Sequence, residues 1–211
     1  MSFKKRSGIA LVICAPSGTG KTTLIKRLVA EFPRFAFSVS CTTRDPRAEE
    51  AQGIDYDFIS RDEFRQRRDA GFFAEWAEVH GHFYGTPLES TRRLLSQGRD
   101  VLFDIDVQGA AQLRRTIPGA RLIFILPPSR RELERRLSER QTETPESMRI
   151  RLRAAGTELM QAHWFSIWII NDDQETAWQE LRAAYIATTL SPVVQSVFLG
   201  DIMKEWTTDD V

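Results

Sequence analysis

Along the chain an unbroken apolar run at residues 9–14 gives way to a polar octet, A-P-S-G-T-G-K-T at 15–22. Leu24, Ile25, Leu28, Val29 and Phe32 follow, spaced for one face of a helix. The run predicts a strand covered on both sides; the spacing predicts a helix over residues 21–32 lying against it, stopped by Pro33. Short alternating pieces at 35–40 and 56–59 flank a polar loop and read as a small β-rich insertion. Ser60 with Glu63 makes a capping-box pattern for a helix ending near Gly71, and 72–79 is a further apolar stretch that turns at Gly81.

From Thr86 and Pro87 a helix is predicted to Gly98, then a buried strand at 101–105, a helix at 109–117 and a second buried strand at 121–126. Pro127 and Pro128 break that strand. Ser129 and Glu132 cap a helix to about Arg140, and beyond a loop at 141–144 a second arginine-rich helix spans 145–160. A strand at 166–170 precedes a helix at 175–188 with Trp178, Leu181 and Tyr185 on one core-facing stripe; 190–211 is too mixed to assign, an extra helix and a partner contact both being open. Strands alternating with helices predict an α/β fold: a doubly wound parallel sheet with ligands at the carboxyl ends of its strands, interrupted by the β-rich and arginine-rich segments.

Composition narrows the function classes. The chain of 211 residues is 42% hydrophobic and 27% charged, ordinary for a soluble domain, and Lys plus Arg equals Asp plus Glu at 29 each. With no net field to attract nucleic acid or membrane, any anion site must be built locally. Cys14 and Cys41 are too few for a disulfide framework and are not spaced as metal ligands, which suits a reducing cytosol. No run approaches membrane-spanning length, and Lys4, Lys5 and Arg6 read as a solvated end. His80, His82 and His163 form no metal-ligand set and read as structural.

The octet carries the clearest chemistry. Gly18 and Gly20 let backbone N–H groups turn onto a polyphosphate, Lys21 brings a point charge, Thr22 offers a hydroxyl to Mg²⁺, and the helix beginning at Lys21 adds its positive end. Asp104 and Asp106 close the 101–105 strand on one side of it; beside a phosphate loop, Asp104 suits Mg²⁺ through water and Asp106 a substrate contact, the alternative being acids at a helix N-terminus. Arg44 and Arg47 flank Pro46, with hydroxyls before and Tyr56 after, a fork for a phosphate dianion or else an exposed charged loop. Glu75 stands among aromatics, costly to bury unless something donates to it, as the N–H groups of guanine would. Arg136 and Arg140 share a helix face and Arg151 lies on the next helix, a cluster that opposite a phosphate loop suits a transferring phosphoryl group and without one is a charged surface helix.

The motifs A-P-S-G-T-G-K-T, S-V-S-C-T-T-R-D-P-R, G-I-D-Y-D-F, F-A-E-W, F-Y-G-T, L-F-D-I-D-V-Q-G, the pair R-R-L and E-R-Q-T-E-T, and I-I-N-D-D, in that order, resemble the guanylate kinase family over nearly all of residues 9–185. The resemblance implies a single domain over 1–211. Its P-loop core would lie at about 7–34, 86–128 and 161–190, with a GMP-binding lobe at about 35–85, a lid at about 129–160 and an extension at about 190–211. It implies Mg²⁺-dependent transfer from ATP to GMP in a cytoplasmic enzyme of purine nucleotide metabolism.

By the same resemblance, ATP is held by Ala15, Pro16, Ser17, Gly18, Thr19, Gly20, Lys21, Thr22 and Thr23, with Asn171 at adenine, and Mg²⁺ by Thr22 and Asp104. GMP phosphate falls to Arg44, Arg47, Tyr56 and Tyr84, guanine to Ser40, Glu75, Thr86 and Asp106, and catalysis to Lys21, Arg44, Arg136, Arg140 and Arg151. The partners are the two nucleotides, with no nucleic acid and no membrane; the oligomeric state is open. Glu49 and Gln141 stand where the family commonly has glycine, and they resist backbone conformations that glycine permits. Cys41, close to the nucleotide pocket, implies thiol-dependent inhibition. The alternatives are a binding module of the same fold that has lost catalysis and a nucleoside monophosphate kinase of another base specificity.

Overall fold

Strand β1 (Ala10–Cys14) has all five residues buried and sits at the centre of a parallel sheet. The computed structural model describes residues 6–79, 81–139 and 145–208. Outward from β1 the sheet adds β7 (Asp100–Asp104) and β2 (Phe35–Ala36) on one side, β8 (Arg121–Leu126) and β9 (Ile167–Ile170) on the other. Alternation sends Leu11 and Ile13 to one face, where they meet Leu24 and Leu28 of α1 (Lys21–Glu31) and Trp178, Leu181 and Tyr185 of α7 (Gln174–Thr189). Ala10, Val12 and Cys14 face Ala110 and Leu113 of α4 (Val107–Thr116) together with Phe165. Helices thus cover both faces, as a run apolar at every position requires.

The strand expected over 35–40 divides. Phe35 is buried against Tyr185, ring centroids 5.1 Å apart, and its two-residue strand pairs with β7, so it belongs to the core sheet. The chain then crosses to a second sheet of β3 (Ser40–Thr42), β4 (Tyr56–Phe58), β5 (Phe73–Val79) and β6 (His82–Pro87), in the order β4-β3-β6-β5. Helix α2 (Arg61–Asp69), capped at Ser60, drops Phe64 between Phe73 and Phe83, stacked at 4.5 and 5.2 Å, to give this lobe its own core. Thr86 proves to be in β6, and helix α3 (Leu88–Ser96) begins only after Pro87.

Helices α5 (Arg130–Ser138) and α6 (Pro145–Met160) pack on each other through Leu133, Leu137 and Ala155. Ser129 caps α5 as its pattern predicts, accepting from Glu132 N at 3.1 Å. The final segment is a helix, α8 (Pro192–Thr208). By length and composition the run Gln174–Trp206 is apolar enough to cross a membrane, which corrects the expectation that no run approaches that length. Its α7 half, however, places Ala177, Trp178, Leu181 and Tyr185 inside the core.

Beneath the sheet lies a buried ionic group. Asp100, with no exposed surface, accepts from Arg6 Nη1 and Nη2 at 2.8 and 2.7 Å, from Ile9 N at 2.9 Å and from the Tyr185 hydroxyl at 2.6 Å. Four donors on one carboxylate compensate its desolvation and tie the chain start to β7 and α7.

Candidate active site

The octet forms the turn between β1 and α1. Gly18 and Gly20 have φ of +91° and +86°, the left-handed region that side-chain-bearing residues avoid. A Cβ at Gly20 would lie 2.5 Å from Asn171 Nδ2, and one at Gly18 2.9 Å from a Leu137 methyl. Thr19 is buried, its hydroxyl donating to Pro16 O at 2.9 Å, so the loop is braced from within. Gly20 is the N-cap of α1, with no side-chain cap and no acid in the first turn, which leaves the positive pole of that helix open to an anion. Lys21 Nζ rests 2.6 Å from Asp104 Oδ1.

This loop opens onto a cavity of 940 Å³ whose opposite wall belongs to the second sheet: Ser40, Tyr56, Glu75, Tyr84 and Thr86 line it together with residues 15–22, Asp104 and Asp106. Glu75 and Thr86 face each other across the β5–β6 ladder. Glu75 is 6% exposed and accepts from the Thr86 hydroxyl at 2.5 Å, while Ser40 Oγ lies 3.4 Å from Thr86 Oγ1. Burial raises the Glu75 carboxyl above the usual range; Thr86 draws it down and Asp106 pushes it up.

Asp106 is not on a strand. β7 ends at Asp104, and Asp106 is the N-cap of α4, accepting from Gly109 N at 2.8 Å. Ligand and helix-cap readings therefore meet in one residue, since one carboxylate oxygen serves the cap and the side chain still lines the cavity.

Arg44 and Arg47 do not line the cavity in this conformation. Arg44 donates to Glu50 Oε1 at 2.8 Å and to Asp45 O at 2.6 Å, and its guanidinium stands 5.6 Å over the Tyr56 ring. Glu50 accepts from Arg47 N at 2.8 Å as well, and its carboxyl is held low, first by Arg44 and then by that amide. Tyr56 and Tyr84 meet edge-on at 6.0 Å.

Arg136 and Arg151 also do not line the main cavity. Arg136 donates to Asn171 O at 2.9 Å and to Glu132 Oε1 at 2.7 Å, lining a separate hollow of 270 Å³ with Gly18, Gly20, Thr23, Asn171, Asp172 and Gln174. Arg135 first, then Arg136, hold the Glu132 carboxyl down to about 2. Arg151 lies on α6, while Arg140, Gln141 and His80 fall outside the described residues. Asn171 is 5% exposed and donates its amide to Thr19 O at 2.6 Å, so its side chain braces the phosphate loop while the residue borders the smaller hollow.

Two carboxylates escaped the sequence reading. Glu50 is six residues beyond Arg44 in an acidic, polar loop, and only the fold shows which of Glu49 and Glu50 turns inward. Glu158 is the α6 residue that lines the main cavity, its carboxyl raised by burial and drawn down by Lys21. It stands seven residues after Arg151 on a predicted helix, two turns along the same face, and that spacing was the available signal.

Cys41 corrects a further expectation. It has no exposed surface, and its thiol, 3.7 Å from Asp57 Oδ2, is pushed up to about 11 by burial first and Asp57 second. A protonated, enclosed thiol is inert, so inhibition through Cys41 is not expected.

A family model described as guanylate kinase matches residues 7–188. A guanylate kinase of Oleidesulfovibrio alaskensis is 61% identical over 203 residues, covering 96% of this chain and 98% of that protein. One of Lawsonia intracellularis is 56% identical over 202 residues, covering 96% and 95%. A crystal structure of guanylate kinase from Anaplasma phagocytophilum aligns with a TM-score of 0.65 at 31% identity, covering 90% of each chain. With a phosphate loop and a buried acid on opposite walls of one cavity, and with these relatives matched almost end to end, the chain belongs to the guanylate kinase family.

Proposed function

We propose that this chain transfers the γ-phosphoryl group of ATP to the phosphate of GMP, giving ADP and GDP, with ATP on the phosphate loop and GMP in the β-rich lobe. The observation that carries this assignment is the shared cavity of 940 Å³, with Lys21 at one wall and Glu75 at the other. The backbone N–H groups of Gly18, Thr19 and Gly20 cradle the donor phosphates, and Lys21 turns from Asp104 toward them.

Thr22 and Asp104 offer a hydroxyl and a half-exposed carboxylate at the cavity wall, hard oxygen donors that fit Mg²⁺ alongside phosphate oxygens and water. When bound, the ion neutralises charge on the donor phosphates. Among the described residues no cluster of three or more His, Cys, Asp or Glu has metal-site geometry, which suits an ion shared with substrate.

A GMP phosphate oxygen attacks the γ-phosphorus and ADP leaves, so the chain's task is positioning and charge compensation, without a covalent intermediate. Arg44 and Arg47, with the hydroxyls of Tyr56 and Tyr84, receive the GMP phosphate, Arg44 exchanging part of its contact with Glu50. Glu75 and Asp106 accept from the guanine N–H groups, with Thr86 and Ser40 beside them. Arg136, Arg140 and Arg151 swing in as the lid closes, excluding water.

A degraded binding module is disfavoured because the phosphate loop keeps its left-handed glycines and its lysine in place. The free, buried thiols suit a cytosolic setting, and nothing in the mechanism requires nucleic acid or membrane. The test is ADP release from ATP and Mg²⁺ with a panel of nucleoside monophosphates. GMP turnover, lost by about three orders of magnitude in Lys21→Ala with an unchanged fold, is expected. Activity equal on AMP and GMP, or a Lys21→Ala variant at near-normal rate, would refute it.

A further inference from the structure

We propose that Glu50 is a positioning residue for the acceptor phosphate, a staple that holds the loop of Arg44 and Arg47 in the shape that presents both arginines to one dianion. The inference rests on the function proposed above and adds to it a residue that does not itself line the nucleotide cavity. Both carboxylate oxygens of Glu50 are engaged on that loop. Oε1 accepts from Arg44 Nη2 and Oε2 from Arg47 N, each at 2.8 Å, and Glu50 N donates back to Arg47 O at 3.0 Å. Residues 44, 47 and 50 are thereby tied into one hydrogen-bonded unit, although none of them belongs to a strand or a helix.

A polar loop has no apolar core of its own, so hydrogen bonds must offset the backbone freedom lost when it takes one shape. The side chains of Arg44 and Glu50 are 16% and 17% exposed, which shields their pair from water more than a solvated surface pair and strengthens it. The order continues downstream. Ala51 N donates to Asp55 Oδ2 and Gly53 N to Tyr56 O, both at 2.8 Å, so the stapled loop runs directly into β4 and Tyr56. The Arg44 guanidinium in turn stands over the rings of Tyr56 and Phe58, 5.6 and 5.8 Å from their centroids. Glu50 is the residue that bonds to both Arg44 and Arg47 while fixing the approach to Tyr56.

The competing reading makes this carboxylate an internal anion that the substrate must expel. Geometry favours the staple. Glu50 does not line the main cavity, whereas Tyr56 and Tyr84 do, so its carboxylate stands outside the space a phosphate enters. Its Oε2 bond goes to a backbone amide and leaves the Arg47 guanidinium uninvolved. Arg44 gives one N–H to Glu50 and one to Asp45 O, leaving three of its five for a phosphate. A dianion can therefore be received with the Oε2 bond, and with it the shape of the loop, kept.

Two variants of the full chain test this. Glu50→Gln keeps the volume and one acceptor oxygen but sets an N–H₂ group against Arg44 or the Arg47 amide, and Glu50→Ala removes both acceptors. Steady-state kinetics with GMP and ATP are measured beside inhibition by guanosine, which carries the base without the phosphate. KM for GMP is expected to rise about 10-fold in Glu50→Gln and about 100-fold in Glu50→Ala, with kcat falling less and with KM for ATP and the guanosine inhibition constant within about two-fold of wild type. An unchanged KM for GMP in both variants overturns the proposal. A KM that falls makes Glu50 a competing anion and overturns it as well, and guanosine weakened in parallel with GMP reduces Glu50 to a structural residue of the lobe. Wild type that turns over no GMP brings down the function proposed above together with this inference, whereas GMP turnover that both variants leave untouched removes the inference alone.

Discussion

Glu75→Gln separates the recognition role proposed for Glu75 from what its burial costs the fold. A glutamine fills the same volume, and its carbonyl can still accept from the Thr86 hydroxyl, now 2.5 Å from Oε1. What changes is the second oxygen, which becomes an N–H₂ donor facing the donors of guanine. Each hydrogen bond to a charged group contributes about 1.5–3 kcal/mol, and here one acceptor is both lost and replaced by an opposed donor. The expected loss in kcat/KM for GMP is about 10²- to 10³-fold. Turnover of AMP, whose ring presents a bare nitrogen at the same edge, should change little.

The same substitution should stabilise the empty enzyme. Burial raises the native carboxyl of Glu75, so native protein prefers the protonated form, and the stability gained from it is present at low pH and lost as pH rises through the native value. The neutral glutamine carries no such pH dependence, so the variant's Tm should exceed that of wild type by more at pH 8 than at pH 5, a trade between stability and function. The proposed recognition runs the other way with pH: a guanine contact through the Glu75 carboxylate predicts that KM for GMP rises on acidification at a pH above that of an ordinary glutamate. Coupled ADP release with GMP and AMP, alongside thermal melts at pH 5 and pH 8, checks each part. A Glu75→Gln enzyme whose kcat/KM for GMP stays within about two-fold of wild type would remove Glu75 from base recognition.

Two further outcomes follow. Asp100→Asn leaves Arg6 buried beside a side chain that cannot accept all four donors, so stability should fall by about 3–5 kcal/mol, lowering Tm by about 10 °C, while kinetics at low temperature stay unchanged; a Tm within about 2 °C of wild type would show that the network is dispensable. Cys41, fully enclosed with its thiol pushed up to about 11, should resist iodoacetamide at pH 8 until urea opens the lobe; rapid labelling of the native protein, read by mass spectrometry, would contradict that burial.

The phosphate loop was legible because its determinants are local: two glycines, a lysine and a strand-to-helix switch lie within a few residues, and the observed left-handed φ at Gly18 and Gly20 is the conformation those glycines permit. α6 was legible for the same reason, and its bounds of Pro145–Met160 match the expected 145–160. Asp106 was half legible. A spacing of two from Asp104 suggested one strand carrying both acids, but Asp106 caps α4, and only the backbone decides where β7 stops. Phe35 misled because an aromatic beside alternating residues looks alike in a core sheet and in an inserted lobe; its contact with Tyr185, 150 positions later, decides which sheet it joins.

The hardest features to read were long-range hydrogen bonds from side chains with a plausible local use. Asn171 follows directly on β9, and its backbone N–H continues the pattern by donating to Leu126 O at 2.9 Å. Its side-chain amide instead donates to Thr19 O, 152 residues away, and its backbone carbonyl accepts from Arg136 of α5. One residue therefore joins the phosphate loop, the last core strand and α5. Because Asn171 Nδ2 would lie 2.5 Å from any Cβ at Gly20, the glycine answers two demands, a left-handed turn and the close approach of this amide. An alanine there would have to push Asn171 off Thr19 and with it loosen the seat of Arg136. Gly20 thus links the shape of the phosphate loop to the position of α5, a coupling that the P-loop motif alone does not express.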